Sequence, residues 1–435
     1  VAAYIFDIVR ESYEGLVQIK RPFSPGGLRV SRSSENSGLL ASTHTAGMNR
    51  RAFSHHLVAS SALAGALACL SPALAHADDA VAFELEYTGD VLGPIAGANR
   101  QGEYLDNLDI AATFDMQRLA GWRDTSVFVH LLNNAGGAPN DRAGTLQGVD
   151  NIEVTQQGAR LYEFWVETNI GAINTRAGLY DVNSEFYANE SAGLLIAPAF
   201  GIGSELAATG PNGPSIFPST GLALRFATQF SEHVSGRFAV VNANASVLGD
   251  ADGVDTSFDN GALVIGELTW AGATSIDIGA WTYTEEQGDI RLLNGLGDPV
   301  SQRALGAYLT AERELWMDAT AFVRLGVSDG DTTPYNSGWQ AGLLFTNVAP
   351  SRPDSQLSIG AYQGRFDSKF RANQRDGGID AARAETGLEL TYSDQVTPWL
   401  RLQPDVQIVF DPNGDRDRED LWIAGLRFAI TPFGH

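Results

Sequence analysis

From Val81 onward the chain is a succession of short segments in which apolar and polar residues alternate, and the connections between them are by turns short and long. Phe83, Leu85 and Tyr87 alternate with Glu84 and Glu86, and Leu108, Ile110, Ala112, Phe114 and Met116 alternate with Asp109, Thr113 and Asp115. A period of two gives a strand one apolar and one polar face. The same reading places strands near 81-90, 104-117, 124-132, 159-170, 172-180, 220-230, 233-243, 260-271, 273-284, 301-313, 316-328, 337-347, 354-366, 382-394, 397-410 and 419-431, about sixteen in all. The links run long then short: 91-103 then 118-123, 133-158 then Gly171, 181-219 then 231-232, 244-259 then Gly272, 285-300 then Glu314-Leu315, with the later pairs keeping the sense. A β-sandwich has no reason to gather its long loops at one end. A transmembrane antiparallel β-barrel does, with tight turns on the periplasmic side and long loops outside.

Hydropathy fits that all-β fold. No apolar stretch of 18 residues follows residue 77, so a helical membrane protein is excluded by length. A barrel escapes the test because only alternate residues meet lipid. Trp270, Trp316, Tyr392 and Trp399 fall beside the short turns, where a periplasmic aromatic girdle is expected.

The segment before the strands reads as targeting. Arg50 and Arg51, an apolar run from about Leu57 to Leu70 and an Ala75-His76-Ala77 pattern make 48-77 a secretory signal peptide,. General secretion is favoured over the twin-arginine route, because that route carries folded cargo and a barrel folds only at its membrane. Residues 1-47 have neither signal nor strand pattern and read as a mis-called upstream extension, leaving 78-435 as the barrel. The single cysteine, Cys69, lies in the signal segment, so the mature chain has no thiol chemistry,.

Formal charge is -23, and about -26 once the basic leader is removed. Nucleic acid is thereby excluded as a partner, there being no basic stripe to neutralise phosphates. The acidic loop from Asp411 to Glu419 resembles a calcium loop except that Arg416 stands where the turn needs Gly, and it reads as a solvated outer hairpin,. The histidines are scattered, and no catalytic arrangement emerges,. Neither an enzyme nor a cofactor is expected.

The longest connection, 181-219, is too apolar for disorder, with Leu194, Leu195, Ile196, Phe200, Ile202, Ile216 and Phe217. A loop of this length inside a compact fold is usually functional, and this one is expected to fold into the lumen. Alternation also sorts wall from lumen. Phe164, Val166 and Thr168 take the lipid side and turn Glu163, Trp165 and Glu167 inward; Ile173, Thr175, Ala177 and Leu179 do the same for Asn174, Arg176 and Tyr180. Arg225, Arg237, Arg324, Arg401 and Arg427, each flanked by apolar residues, are assigned inward as well. A charge on the lipid side costs roughly 2–4 kcal/mol at mid-depth. Facing loop residues Asp181, Asn183 and Glu185, such arginines can replace water around hydroxyl groups, while Trp165, Tyr180 or Phe186 can stack on a sugar ring. The competing reading is that these charges pair with one another and pin the loop.

Asp181-Val182-Asn183-Ser184-Glu185-Phe186, Ala192-Gly193-Leu194 and Asn212-Gly213-Pro214-Ser215-Ile216-Phe217-Pro218, with Gln403-Pro404-Asp405-Val406-Gln407 and Asp411-Pro412-Asn413-Gly414, resemble the carbohydrate-selective porin family, the OprB-type glucose porins. The resemblance implies a sixteen-stranded Gram-negative outer-membrane barrel that passes monosaccharides and similar small polar solutes by passive diffusion. Outer-membrane lipid and the barrel-assembly machinery are then its partners. Two alternatives remain at this point: a general or cation-favouring diffusion porin, suggested by the acidity, and an adhesin or barrel enzyme with a loop-borne site.

Overall fold

The computed structural model describes residues 80–96, 101–316 and 318–432. The extension read at 1-47 and the signal peptide read at 48-77 lie outside the described residues. Sixteen strands close into one antiparallel barrel. In chain order they are β1 (Val81–Pro94), β2 (Glu103–Asp115), β3 (Thr125–Gly136), β4 (Gly158–Ile170), β5 (Ile173–Tyr180), β6 (Gly221–Gln229), β7 (Val234–Asn242), β8 (Ala262–Trp270) and β9 (Ser275–Tyr283). A small hairpin, β10 (Gln287–Leu293) and β11 (Pro299–Gln302), stands outside the barrel, which resumes with β12 (Leu305–Trp316), β13 (Ala319–Ser328), β14 (Tyr335–Thr346), β15 (Gln356–Phe366), β16 (Ala384–Thr397), β17 (Leu400–Phe410) and β18 (Leu421–Ile430). Each strand pairs with its neighbours, and β1 closes on β18 with Asp90 opposite Arg427.

Alternation builds the wall as the pattern demands. Phe164, Ile173, Leu224, Phe238, Leu268, Ile278, Val323, Leu325, Leu388, Leu390, Val406 and Leu426 are exposed on the outer surface, while their sequence neighbours Glu163, Arg225, Glu267, Arg324, Glu389 and Asp405 are buried. Such a band of apolar side chains around a closed sheet matches a lipid-facing surface. Trp270, Trp316 and Trp399 are exposed at the short-turn end. One two-residue turn there, between Ile170 and Ile173, opens on Gly171 with φ 65°, the left-handed conformation that such a hairpin requires.

Three expectations change. The 285-300 loop contains β10 and β11, and the strand read from 301 begins at Leu305. Trp316 ends β12 instead of opening β13, because the turn before β13 contains Asp318, which takes φ 71°. The long-short alternation also fails at two places: the link 116–124 is no shorter than 95–102, and 347–355 is longer than 329–334. The cause at the first is that β1 continues to Pro94 and that a capped helical turn, Met116–Ala120, occupies the link at the short-turn end. The five longest connections, 137–157, 181–220, 243–261, 284–304 and 367–383, still share one end.

Candidate functional site

The 181–220 connection leaves β5, reaches the far wall and returns to β6. Its backbone is taken up by inward side chains strand after strand. Tyr187 N–H donates to Glu267 Oε2 on β8 (3.0 Å), and the Tyr187 ring stacks on Tyr308 of β12 at 4.1 Å. Ser191 N–H donates to Glu312 on β12 (2.9 Å), and Ala197 N–H to Glu389 on β16 (2.9 Å), which also holds Ile196 N–H. Gln403 of β17 donates to Leu194 O (2.7 Å). Phe200 packs edge-on against Phe322 and Tyr362. Strands β5 and β16 lie seven positions apart around a ring of sixteen, so the segment crosses the lumen.

At its root stands a cluster made by cross-strand register. Glu167 of β4 is opposite Arg176 of β5, which is opposite Arg225 of β6. Glu167 Oε2 accepts from Arg176 Nε and Nη2 (3.0 and 2.7 Å) and from Arg225 Nη2 (2.9 Å). Arg225 Nη2 also donates to Glu185 Oε1 (3.0 Å), and its Nη1 to Asn174 Oδ1. Tyr180 OH donates to Glu185 Oε2. Arg237 holds Glu185 O and approaches Glu267 at 3.4 Å. Three guanidinium groups thus share three carboxylates, and placing them on adjacent strands keeps each within charge-assisted hydrogen-bond reach.

The first turn of the inward segment is held on the same wall. Glu163 Oε1 accepts from Asp181 N–H (3.0 Å) and Trp165 Nε1 (3.3 Å). Asp181 accepts from Tyr162 OH (2.7 Å) and Asn183 N–H (2.8 Å), and Asn183 Nδ2 reaches across to Gly201 O (3.0 Å). Burial and the adjacent Glu163 charge push the Asp181 carboxyl up to about 7,.

Not every residue read from the sequence as facing solute does so. Tyr180 and Phe186 are 1% and 0% exposed, so neither has a ring face free for a sugar. Trp165 lies between the ring of Phe128 (4.9 Å) and the Arg176 guanidinium (3.8 Å), so its faces are covered too. The stacking role expected of these three is corrected: the root of the loop packs on them and removes them from the lumen. Arg324 is inward but 0% exposed, donating to the carbonyl oxygens of Phe200, Tyr187 and Gly201. It pins the loop instead of lining the pore. Arg427 pairs with Asp90 (Nη2–Oδ2 2.6 Å) and Asn151 (2.6 Å) at the β1–β18 seam, away from the cluster. Arg401 sits near the short-turn end of β17, also apart.

Several participants escaped the sequence reading. His130 of β3 points inward between Asp109 (3.0 Å) and Glu163 (3.8 Å); its position between Val129 and Leu131 carries the alternation signal that identifies it. The second long connection, 137–157, is tucked inward as well. Glu385 of β16 accepts from the backbone of Leu146 and Gln147 (both 2.9 Å) and of Asn413 (2.7 Å), and Gln407 donates to Val149 O (2.9 Å). The 411–420 loop is likewise tied down, Arg418 donating to Gly144 O (2.6 Å) and Ala143 O (3.0 Å), so it is more than a solvated hairpin.

Known proteins share this architecture. The high-pH structure of Pseudomonas putida OprB superposes with a TM-score of 0.73 at 21% identity, covering 81% of this chain and 94% of that one. The outer membrane channel DcaP of Acinetobacter baumannii gives 0.52 at 11% identity, covering 81% and 96%. At these identities the likeness establishes the fold. Porin B of Pseudomonas aeruginosa is 23% identical over 397 residues, 80% of this chain and 87% of its own. Residues 99–431 match the family described as Carbohydrate-selective porin, OprB family; the chain belongs to that family and is an outer-membrane porin of a Gram-negative bacterium.

Proposed function

We propose that this channel passes monosaccharides and similar small polar solutes by passive diffusion, and that the Arg176–Glu167–Arg225–Glu185 network at the root of the inward segment forms the polar side of its narrowest passage. What supports this most is the matching of charge within the network: Arg176 and Arg225 share Glu167 (2.7 and 2.9 Å) while Arg225 also holds Glu185 (3.0 Å). Paired fixed charges present donors and acceptors without a strong net field, so a neutral polyol can exchange water hydrogen bonds for wall hydrogen bonds. Glu185, Glu167 and Arg176 keep 25%, 24% and 14% of their side chains exposed and are the members best able to touch solute. Asp181, Asn183, Glu163 and Asn174 position them, and Arg237 and Arg225 hold the segment. Outer-membrane lipid covers the apolar band, and the barrel-assembly machinery inserts the chain. A channel accounts for every arrangement described without an enzymatic step.

Liposome swelling with glucose, paired with planar-bilayer conductance in salt plus glucose, tests the reading. Sugar flux with concentration-dependent reduction of current is expected. Ion conductance with no sugar flux and no current reduction would refute it in favour of a cation-favouring or general pore.

A further inference from the structure

On the long-loop side of the cluster lies a chamber of about 510 Å³, lined by the connections 137–157, 181–220 and 411–420 and by none of Glu167, Arg176, Glu185 or Arg225. Its size falls in the range of about 300–1,000 Å³ typical of small-molecule sites. We propose that this chamber is a capture site for one or two hexose units of a neutral sugar, occupied before the solute reaches the constriction. The inference rests on the sugar-diffusion reading and adds a second site to it.

Its lining has the chemistry for such a ligand. Asp141, Thr145, Glu153 and Asn413 provide hydroxyl, amide and carboxyl groups, and Phe217 adds one aromatic ring. Phe217 stands T-shaped to Tyr162 (6.1 Å, 67°), which sets its ring plane. Pockets that fix a small ligand combine an apolar surface with a few convergent polar groups in this way. One lining group lacks a partner: Thr145 Oγ1 is buried without one among the described residues. Buried polar atoms in such a position are completed by ordered water or by ligand hydroxyls.

Charge argues for a neutral occupant. The cation on the wall, Arg418, is committed to the carbonyl oxygens of Ala143 and Gly144, so an anion finds no free guanidinium. Burial pushes the Asp150 carboxyl up, with the nearby Asp90 charge adding to it, and burial pushes Glu153 up to about 7,. Raised in this way, the two carboxyls offer less negative charge to a cation than ordinary carboxylates do. The chamber is also contiguous with the crossing segment: Pro198 and Phe217 line it, and Ser204 Oγ donates to Gln147 Oε1 (2.9 Å), joining the two inward loops.

A site on one side of a constriction changes traffic from that side alone. Single oriented channels are therefore recorded with glucose, then with a disaccharide, added to one side at a time, for wild type, Asp141→Asn and Phe217→Leu. The expected result is a loss of about threefold to tenfold in the rate of sugar-induced block from the long-loop side, the effect of one lost hydrogen bond or contact, with no change from the short-turn side. Asp141 is exposed on a loop, so its conservative variant is informative even where Phe217→Leu fails to fold. Equal losses from both sides, or none from either, overturn the capture site while wild-type block leaves the diffusion reading standing. Absence of sugar block in wild type from both sides removes both.

Discussion

Replacing Arg324 with Ala isolates the attachment of the inward segment from the stability of the barrel. The side chain is fully buried and its guanidinium serves three loop carbonyls, those of Phe200, Tyr187 and Gly201. Hydrogen bonds from a charged donor contribute about 1.5–3 kcal/mol each. Part of that gain is offset by the cost of desolvating the guanidinium, and water entering the vacated space partly satisfies the carbonyls. The net loss to the attachment is thus about 2–4 kcal/mol, a rise of about 30- to 1,000-fold in the population of the detached segment. The wall is spared, since the backbone pairing of β13 with β12 and β14 does not involve the side chain. Hydrogen exchange on the reconstituted protein should show protection falling by that factor for amides between 187 and 201 and unchanged in the strands. Single-channel current should become noisier. Unaltered protection across 187–201 together with unaltered noise would show that Arg324 is not what holds the loop.

Three further perturbations follow from the same geometry. Glu167→Gln removes the carboxylate shared by Arg176 and Arg225; reversal-potential measurements in a salt gradient should shift toward anions, and no shift would place this network outside the conducting path. Gly326→Ala would put a Cβ 1.6 Å from Glu205 Oε1 and should loosen the segment by about 1–3 kcal/mol, whereas Gly295→Ala, with nothing within 4 Å, should be silent in the same exchange assay. Asp181→Asn tests a pH dependence of known sign. With its folded-state value raised to about 7 above an unfolded value of about 3.9, the folded loop binds the extra proton. Its contribution is full below about pH 4 and is lost as pH rises through about 7. Wild-type current noise should therefore grow over that window, and Asp181→Asn should flatten the profile; an identical profile in the variant would assign the titration elsewhere.

The wall was legible because lipid imposes a rule that each short segment obeys by itself. All sixteen barrel strands lie where alternation puts them, and Arg225, Arg237, Arg324 and Arg427 point inward because apolar neighbours such as Leu224, Phe238, Leu325 and Leu426 need the outer face. Errors cluster where that rule lapses, at the β10–β11 hairpin and at strand ends beyond the apolar band. The fates of the inward residues were not legible. Arg176, between Thr175 and Ala177, and Arg324, between Val323 and Leu325, are both read from alternation as inward arginines, yet one keeps some exposure and the other is sealed under Phe200 and Tyr187.

Periodicity alone, then, determined the strands of the wall, their lipid face and the unusual apolarity of the 181–219 segment, since these depend on neighbours one or two residues apart. Closure of the barrel decided the rest. It brings Glu389 to Ala197, Glu385 to Gln147 and Arg418 to Gly144, partners about two hundred residues or more apart. It thereby decides which polar side chains are consumed in holding two loops across the lumen and which few remain for solute. No local pattern encodes that division, because it is set by where each loop lands on a wall that exists only once β1 has met β18.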